Sequence, residues 1–217
     1  MNTIFSIRKP YTDYIFDGIK NLEFRKKVGK NMKAGDTVFL YETKKNHGLG
    51  KVVGSAEVKN IIEIPKVKIG TYFLLPYFIE KFGTEAEKAA AAKAMQIQLS
   101  NYDPTIVLDY FYDPIALDYM KKYDEVPDPW EHPYTERFSS AEEFNQSKLK
   151  ADALYWKVNH WAEQIGFYDE MGESNWNYAI ELQNIKKYQN PREIQEFKTM
   201  AGEALNGPPQ SWCYVLN

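Results

Sequence analysis

Strand-period sequence occupies both ends of this chain and helix-period sequence its middle, and that order restricts the architectures open to it. Ile4 to Arg8, Thr37 to Glu42 and Lys51 to Ile64 alternate or run apolar as strands do, and the same character returns at Asn177 to Ile185 and Trp212 to Leu216. Between them the period changes. Tyr72 to Phe82, Glu85 to Leu99, Thr105 to Tyr112, Ile115 to Lys122 and Ser140 to Gly166 read as helices, broken by Gly83, Pro104 and Pro114. Two domains in tandem would not split the strands in this way. The expectation is an α+β fold: one β-barrel formed by residues 1–70 and 174–217, interrupted by a mainly α-helical insertion at 71–173.

Local signals fill in this outline. Pro10 suits the first turn of a helix from Pro10 to Asp17 that stops at Gly18, with Ile15, Phe16 and Ile19 on its buried side. Lys33-Ala34-Gly35-Asp36 reads as a turn, Thr43 to Gly50 as a loop, and Gly54 as the place for a bulge or bend in the long strand. Tyr123 to Ser139 is Pro-rich and acidic, hence a loop. The near-helical spacing of Leu149, Ala153, Trp156, His160, Trp161 and Ile165 puts His160 on a core face. Pro191 is expected to begin a short helical segment toward Phe197, and Gly207 to Ser211 a turn before the last strand.

Charge is divided along the chain. Residues 1–69 hold 14 Lys or Arg against 7 Asp or Glu, a net of +7; residues 70–173 hold 9 against 19, a net of −10; residues 174–217 hold 4 against 4. A basic lobe is the footprint of polyanion contact, although basic surfaces also occur on proteins that bind nothing anionic, and the acidic middle argues against indiscriminate nucleic-acid binding. The single cysteine, Cys213, excludes an internal disulfide and a cysteine zinc cluster, and its Trp-Cys-Tyr-Val setting is that of a buried strand thiol. His47, His132 and His160 lack His-x-x-x-His spacing, so neither a metal nor a cofactor is expected. No apolar run reaches the ~18 residues of a membrane span and Met1 to Pro10 lacks a signal-peptide core, which gives the expectation of a cytoplasmic protein without membrane contact.

The densest chemistry lies early. Gly18, Lys20, Glu23 and Arg25 fall within eight positions after the first helix, and a strand over Asn21 to Arg25 would put Glu23 and Arg25 on one face and Leu22 and Phe24 on the other. A carboxylate beside an ammonium and a guanidinium is a grip for a planar polar ligand such as a nucleobase or phosphate. The same pattern also describes a solvated edge with an incidental ion pair.

Three segments in this region, Ser6-Ile7-Arg8-Lys9-Pro10, Asp17-Gly18-Ile19-Lys20 and Leu22-Glu23-Phe24-Arg25, resemble the opening of ASCH domains, members of the PUA-like superfamily. Val52 to Val58 is similar to the family's central barrel strand, and Tyr178 to Leu182, through Pro191 to Pro208-Pro209-Gln210-Ser211, to its C-terminal half. The likeness covers residues 3–65 and 176–216, while Thr71 to Glu173 exceeds the usual family linker. It implies a small PUA-like β-barrel with a cleft, in a family proposed to bind RNA, some members of which hydrolyse an acylated cytidine or cleave RNA. In members that look like amidohydrolases a lysine corresponding to Lys20 is catalytic, with a threonine two positions before the arginine and a later glutamate. Here Glu23 stands in the threonine's place, and Glu57 is the candidate for the later glutamate.

Two functions follow as expectations. In a binding module, Arg8, Lys9, Lys20 and Arg25 hold phosphate or base oxygen, Glu23 accepts from an exocyclic amine, Tyr41 or Trp212 stacks on the base unless it is barrel core, and Ser6 and Ser211 complete the site from the flanking motifs. The ligand would be RNA, another single-stranded nucleic acid, or a modified nucleoside. In an amidohydrolase or ribonuclease, Lys20 loses its proton by desolvation and by the Arg25 charge, and Glu23 or Glu57 moves protons. Glu23 opposes that loss, since a carboxylate stabilises an ammonium. A third expectation is a protein partner for the acidic insertion.

Overall fold

The computed structural model describes residues 1–64, 74–85, 88, 156–168 and 174–216. Six strands form one mixed sheet: β1 (Asn2–Ile7), β2 (Leu22–Arg25), β3 (Thr37–Glu42), β4 (Lys51–Glu63), β5 (Tyr178–Arg192) and β6 (Trp212–Val215), in the order β2-β5-β4-β3-β1-β6. The strands from the two ends of the sequence are thus interleaved. β5 lies between β2 and β4, pairing Glu23 with Ile180 and Val58 with Leu182, and β6 adds antiparallel to β1 with Phe5 opposite Trp212. Only β1 and β3 run parallel, because α1 (Tyr11–Phe16) and β2 carry the chain away and back between them.

Period-two alternation distributes the apolar residues to both faces of this sheet. Phe5 and Ile7 of β1, Val38 and Leu40 of β3, and Val53, Ala56 and Val58 of β4 meet Ile15, Met32, Ile180 and Leu182 in one core. Ile4, Phe39, Tyr41 and Val52 point the other way and pack with Ile194, Phe197 and Val215 in a second. Sheet edges are usually open, yet all four residues of the edge strand β2 are buried. The sheet curls into a half-barrel, so that Arg25 on β2 reaches Ser6 on β1 and Ser211 beside β6.

Several expectations shift in detail. Pro10 precedes the first helix instead of lying within it, and Asp17 closes the helix with Gly18 next in the left-handed conformation, φ +70°. Ile15 is fully buried, and Thr12, not Phe16 or Ile19, is the second buried position. Pro191 does not begin a helix: β5 continues through it to Arg192, and the short helical turn is Ile194–Glu196. Gly54 stands where the pairings of β4 with both neighbours change register, as a bulge requires.

The chain divides into two units, one of Met1–Ile64, Ile165–Asp169 and Asn175–Asn217, the other of Pro65–Gln164 and Glu170–Ser174. In the second unit α2 (Leu75–Phe82) forms within the expected Tyr72 to Phe82 helix, and Phe78 and Phe82, tilted against each other, each pack edge to face on Trp161. Residues 156–164 are helical with Val158, Trp161 and Ala162 buried; Trp156 and His160 are exposed, so the helix turns a different face inward and His160 is not a core residue. The helices expected over 105–112 and 115–122, the loop over 123–139 and nearly all of the 85–99 helix lie outside the described residues. Among the described residues, no helix is long and apolar enough to cross a membrane.

Candidate functional site

Helix α1 ends at Asp17, and the turn through Gly18 reverses the chain so that Lys20 points back under the helix, its backbone N–H donating to the Tyr14 carbonyl at 2.9 Å. The Lys20 ammonium lies 5.4 Å from the centroid of the Tyr11 ring and 4.6 Å from that of Phe24, and donates to the Ile165 carbonyl at 2.7 Å. Three residues on, the Glu23 carboxylate spans two cations, Lys20 Nζ at 3.5 Å and Arg25 Nη2 at 2.9 Å. Arg25 donates to the Ser211 carbonyl and hydroxyl, both at 3.1 Å, and to the Ser6 carbonyl at 3.2 Å, with its guanidinium 4.6 Å from the Phe5 ring centroid.

Lys20, Glu23 and Arg25 therefore form one cation–anion–cation triad, and it is buried: the three are 2 %, 7 % and 7 % exposed. The solvated-edge alternative does not describe this geometry. Burial lowers the Lys20 pKa from 10.5 to about 8, a shift that Glu23 opposes and Arg25 assists. The sequence argument that Glu23 would hold the lysine protonated is thus outweighed, because desolvation is the larger effect. Arg25 retains one orphan donor, a buried Nε without a hydrogen-bond partner.

The other sequence candidates fall into separate groups. Ser6 and Ser211 join the triad through Arg25, and Ser6 Oγ also donates to the Pro209 carbonyl at 2.6 Å. Trp212, next to Ser211, is half-buried against the first core and stacks edge to face on Tyr214 at 5.3 Å. Arg8 is exposed, and the half-buried Lys9 faces Asp13 at 3.8 Å. Tyr41 is buried in the second core with Phe39 and Phe197, so of the two roles open to it the structure gives it packing and not base stacking. Glu57 is a correction: its carboxylate accepts from Gln183 at 2.7 Å and Asn184 at 3.1 Å, tying β4 to β5, and no bond joins it to Lys20. The carboxylate that reaches the lysine is Glu23.

Sequence reasoning missed three participants. Tyr11 and Phe24 form the aromatic walls of the lysine; Phe24 carried a signal only in its adjacency to Glu23 and Arg25. The Ile165 carbonyl, supplied from 145 residues away, carried none, since any residue type has a carbonyl. Cys213, on β6, is half-buried, and burial raises its thiol pKa, consistent with a strand thiol that is not a nucleophile. Among the described residues, no group of His, Cys, Asp and Glu side chains is arranged to hold a metal ion.

The site thus lies in a half-barrel: a curled mixed sheet whose two edges are joined by the buried Arg25, with Lys20 following the first helix. Residues 5–103 match the ASCH domain model, a domain of the PUA-like fold. Among solved structures, ASCH from Zymomonas mobilis is 12% identical with a TM-score of 0.41, covering 100% of this chain and 87% of that one. Two point variants of the Zymomonas mobilis protein are each 13% identical with TM-scores of 0.40, covering 100% of this chain and 90% or 88% of theirs. No curated protein matches the sequence.

Proposed function

We propose that this ASCH domain recognises a nucleobase, presented by single-stranded RNA or by a modified nucleoside, on the triad of Lys20, Glu23 and Arg25. The observation that carries this reading is the convergence of two cations and one carboxylate against the rings of Tyr11 and Phe24. A base edge sets carbonyl acceptors beside amine donors, and alternating ammonium, carboxylate and guanidinium groups complement that order. Arg8 and Lys9 are the cations left for backbone phosphate, and Trp212 the ring for stacking, worth ~1–3 kcal/mol per base. ASCH domains are associated with RNA binding, so the family and the chemistry agree in class.

Hydrolysis of an acylated cytidine is the second reading, and one observation favours it: the Lys20 pKa of about 8. A lysine that is substantially neutral near pH 8 acts as base or nucleophile, and Glu23, 3.5 Å away, is placed to take up the proton. The experiment that separates the readings measures affinity for short single-stranded RNA and acetate release from acetylated cytidine on the same protein. Binding that weakens about tenfold or more in Glu23→Gln, with no acetate released, supports recognition alone. Release that is abolished in Lys20→Ala and rises with pH through about 8 supports the hydrolase. Neither binding nor release would overturn both.

A further inference from the structure

A site whose lysine is 2 % exposed cannot meet a ligand without something moving, and the structure identifies what covers it. Residues 165–168 follow the helix at 156–164 directly, and three of them in succession engage the lysine or its walls. The Ile165 carbonyl takes the ammonium's hydrogen bond at 2.7 Å. Gly166 lies so close to the Tyr11 ring that a Cβ there would stand 2.7 Å from it, and its φ of +77° is one that glycine adopts freely. Phe167 packs edge to face on Phe24 at 5.2 Å. Trp176 fastens the segment by donating its indole N–H to the Gly166 carbonyl at 3.2 Å.

We infer that residues 165–168 are a displaceable strap over Lys20, and that the Ile165 carbonyl holds the place of a ligand carbonyl. This rests on the triad being the ligand site. The nearest acceptor to the ammonium is this neutral oxygen at 2.7 Å, while Glu23 stands off at 3.5 Å and is drawn to Arg25. The oxygen that replaces it is therefore also neutral: the ring carbonyl of a pyrimidine or the acyl oxygen of an acylated base. A phosphate in that position would set a second anion beside Glu23 and is disfavoured. Ile165 and Phe167 are buried, so the strap is closed in this structure. Two hydrogen bonds, the Phe24 ring contact and the burial of Ile165 and Phe167 hold it, so the open form is a minor population that a ligand must favour. Closure also accounts for the low Lys20 pKa, since burial is its largest cause.

The test needs no ligand. Full-length protein is treated at pH 8 with an acetylating reagent, and labelling of Lys20 is followed by peptide mass spectrometry against the exposed Lys26 of the same chain. Phe167→Ala and the milder Trp176→Phe are expected to speed Lys20 labelling about tenfold or more while Lys26 is unchanged. A control, Phe197→Leu, weakens the second core away from the strap. Lys20 labelling that is unchanged in both strap variants, or raised as much in Phe197→Leu, overturns the strap. Addition of cytidine should slow Lys20 labelling in Trp176→Phe, whereas inorganic phosphate should not; protection by phosphate alone overturns the carbonyl assignment. If the strap variants expose Lys20 and no base or RNA binds, the strap stands and the proposed function fails.

Discussion

At the scale of single residues, Lys20 shows how burial and charge compete. Its ammonium has a carboxylate within reach, yet removal from water wins and the pKa falls to about 8. The unfolded chain keeps its proton up to pH 10.5, while the folded protein releases it near pH 8, so stability rises with pH across that window. Below pH 8 the buried charge costs roughly 3 kcal/mol relative to its neutral form. Lys20→Met, which removes the charge and keeps the length, should lose that amount of its stability relative to wild type between pH 8 and pH 10.5, as measured by urea denaturation at each pH. A stability difference independent of pH would show that the ammonium is solvated. The charged members of the triad were legible in the sequence because three ionisable residues at short spacing beside an apolar pair are conspicuous. That burial would override the Glu23 attraction was not, since it depends on covering residues supplied from beyond residue 160.

At the scale of elements, the edge strand β2 and the long strand β4 carry the geometry. β2 has only one ladder neighbour, β5, but Arg25 bonds across to the opposite edge, which converts a sheet edge into a closed seam. In β4 the bend at Gly54 admits the β5 backbone and helix α1 together: a Cβ there would lie 2.3 Å from the Lys186 carbonyl oxygen and 2.7 Å from the Phe16 ring. Gly54→Ala is therefore expected to destabilise the protein by about 1–3 kcal/mol, read as a lowered melting temperature, even though alanine is ordinarily tolerated in strands. An unchanged melting temperature would mean that α1 sits loosely on the sheet. Gly54 was legible as an interruption in an otherwise unbroken strand pattern. The length of β5 was not: Lys186 to Asn190 has no apolar alternation, and it stays extended because backbone pairing with β4 does not depend on side-chain polarity.

At the scale of the whole molecule, the sheet interleaves strands from both ends of the sequence, and the Lys20–Glu23–Arg25 triad depends on that interleaving. Lys20, Glu23 and Arg25 come from the first segment, while their partners Ile165 and Ser211 come from the later ones. The pairing of the ends was legible because a helix-period middle separates two sets of strand-period segments, and the late strands β5 and β6 do pair with β2, β4 and β1 of the early set. The particular carbonyls that meet the triad were not, because backbone acceptors leave no mark in a sequence. Binding of a base edge at this triad is tested most directly by titrating protein carrying 15N-labelled lysine and arginine side chains with acetylated cytidine and with a short single-stranded RNA. Saturable shifts of the Lys20 and Arg25 side-chain signals are expected with at least one of these, while the exposed Lys186 and Lys187 report only weak, salt-sensitive contact. Saturable binding that leaves the Lys20 and Arg25 signals in place, or no binding of either ligand, would contradict it.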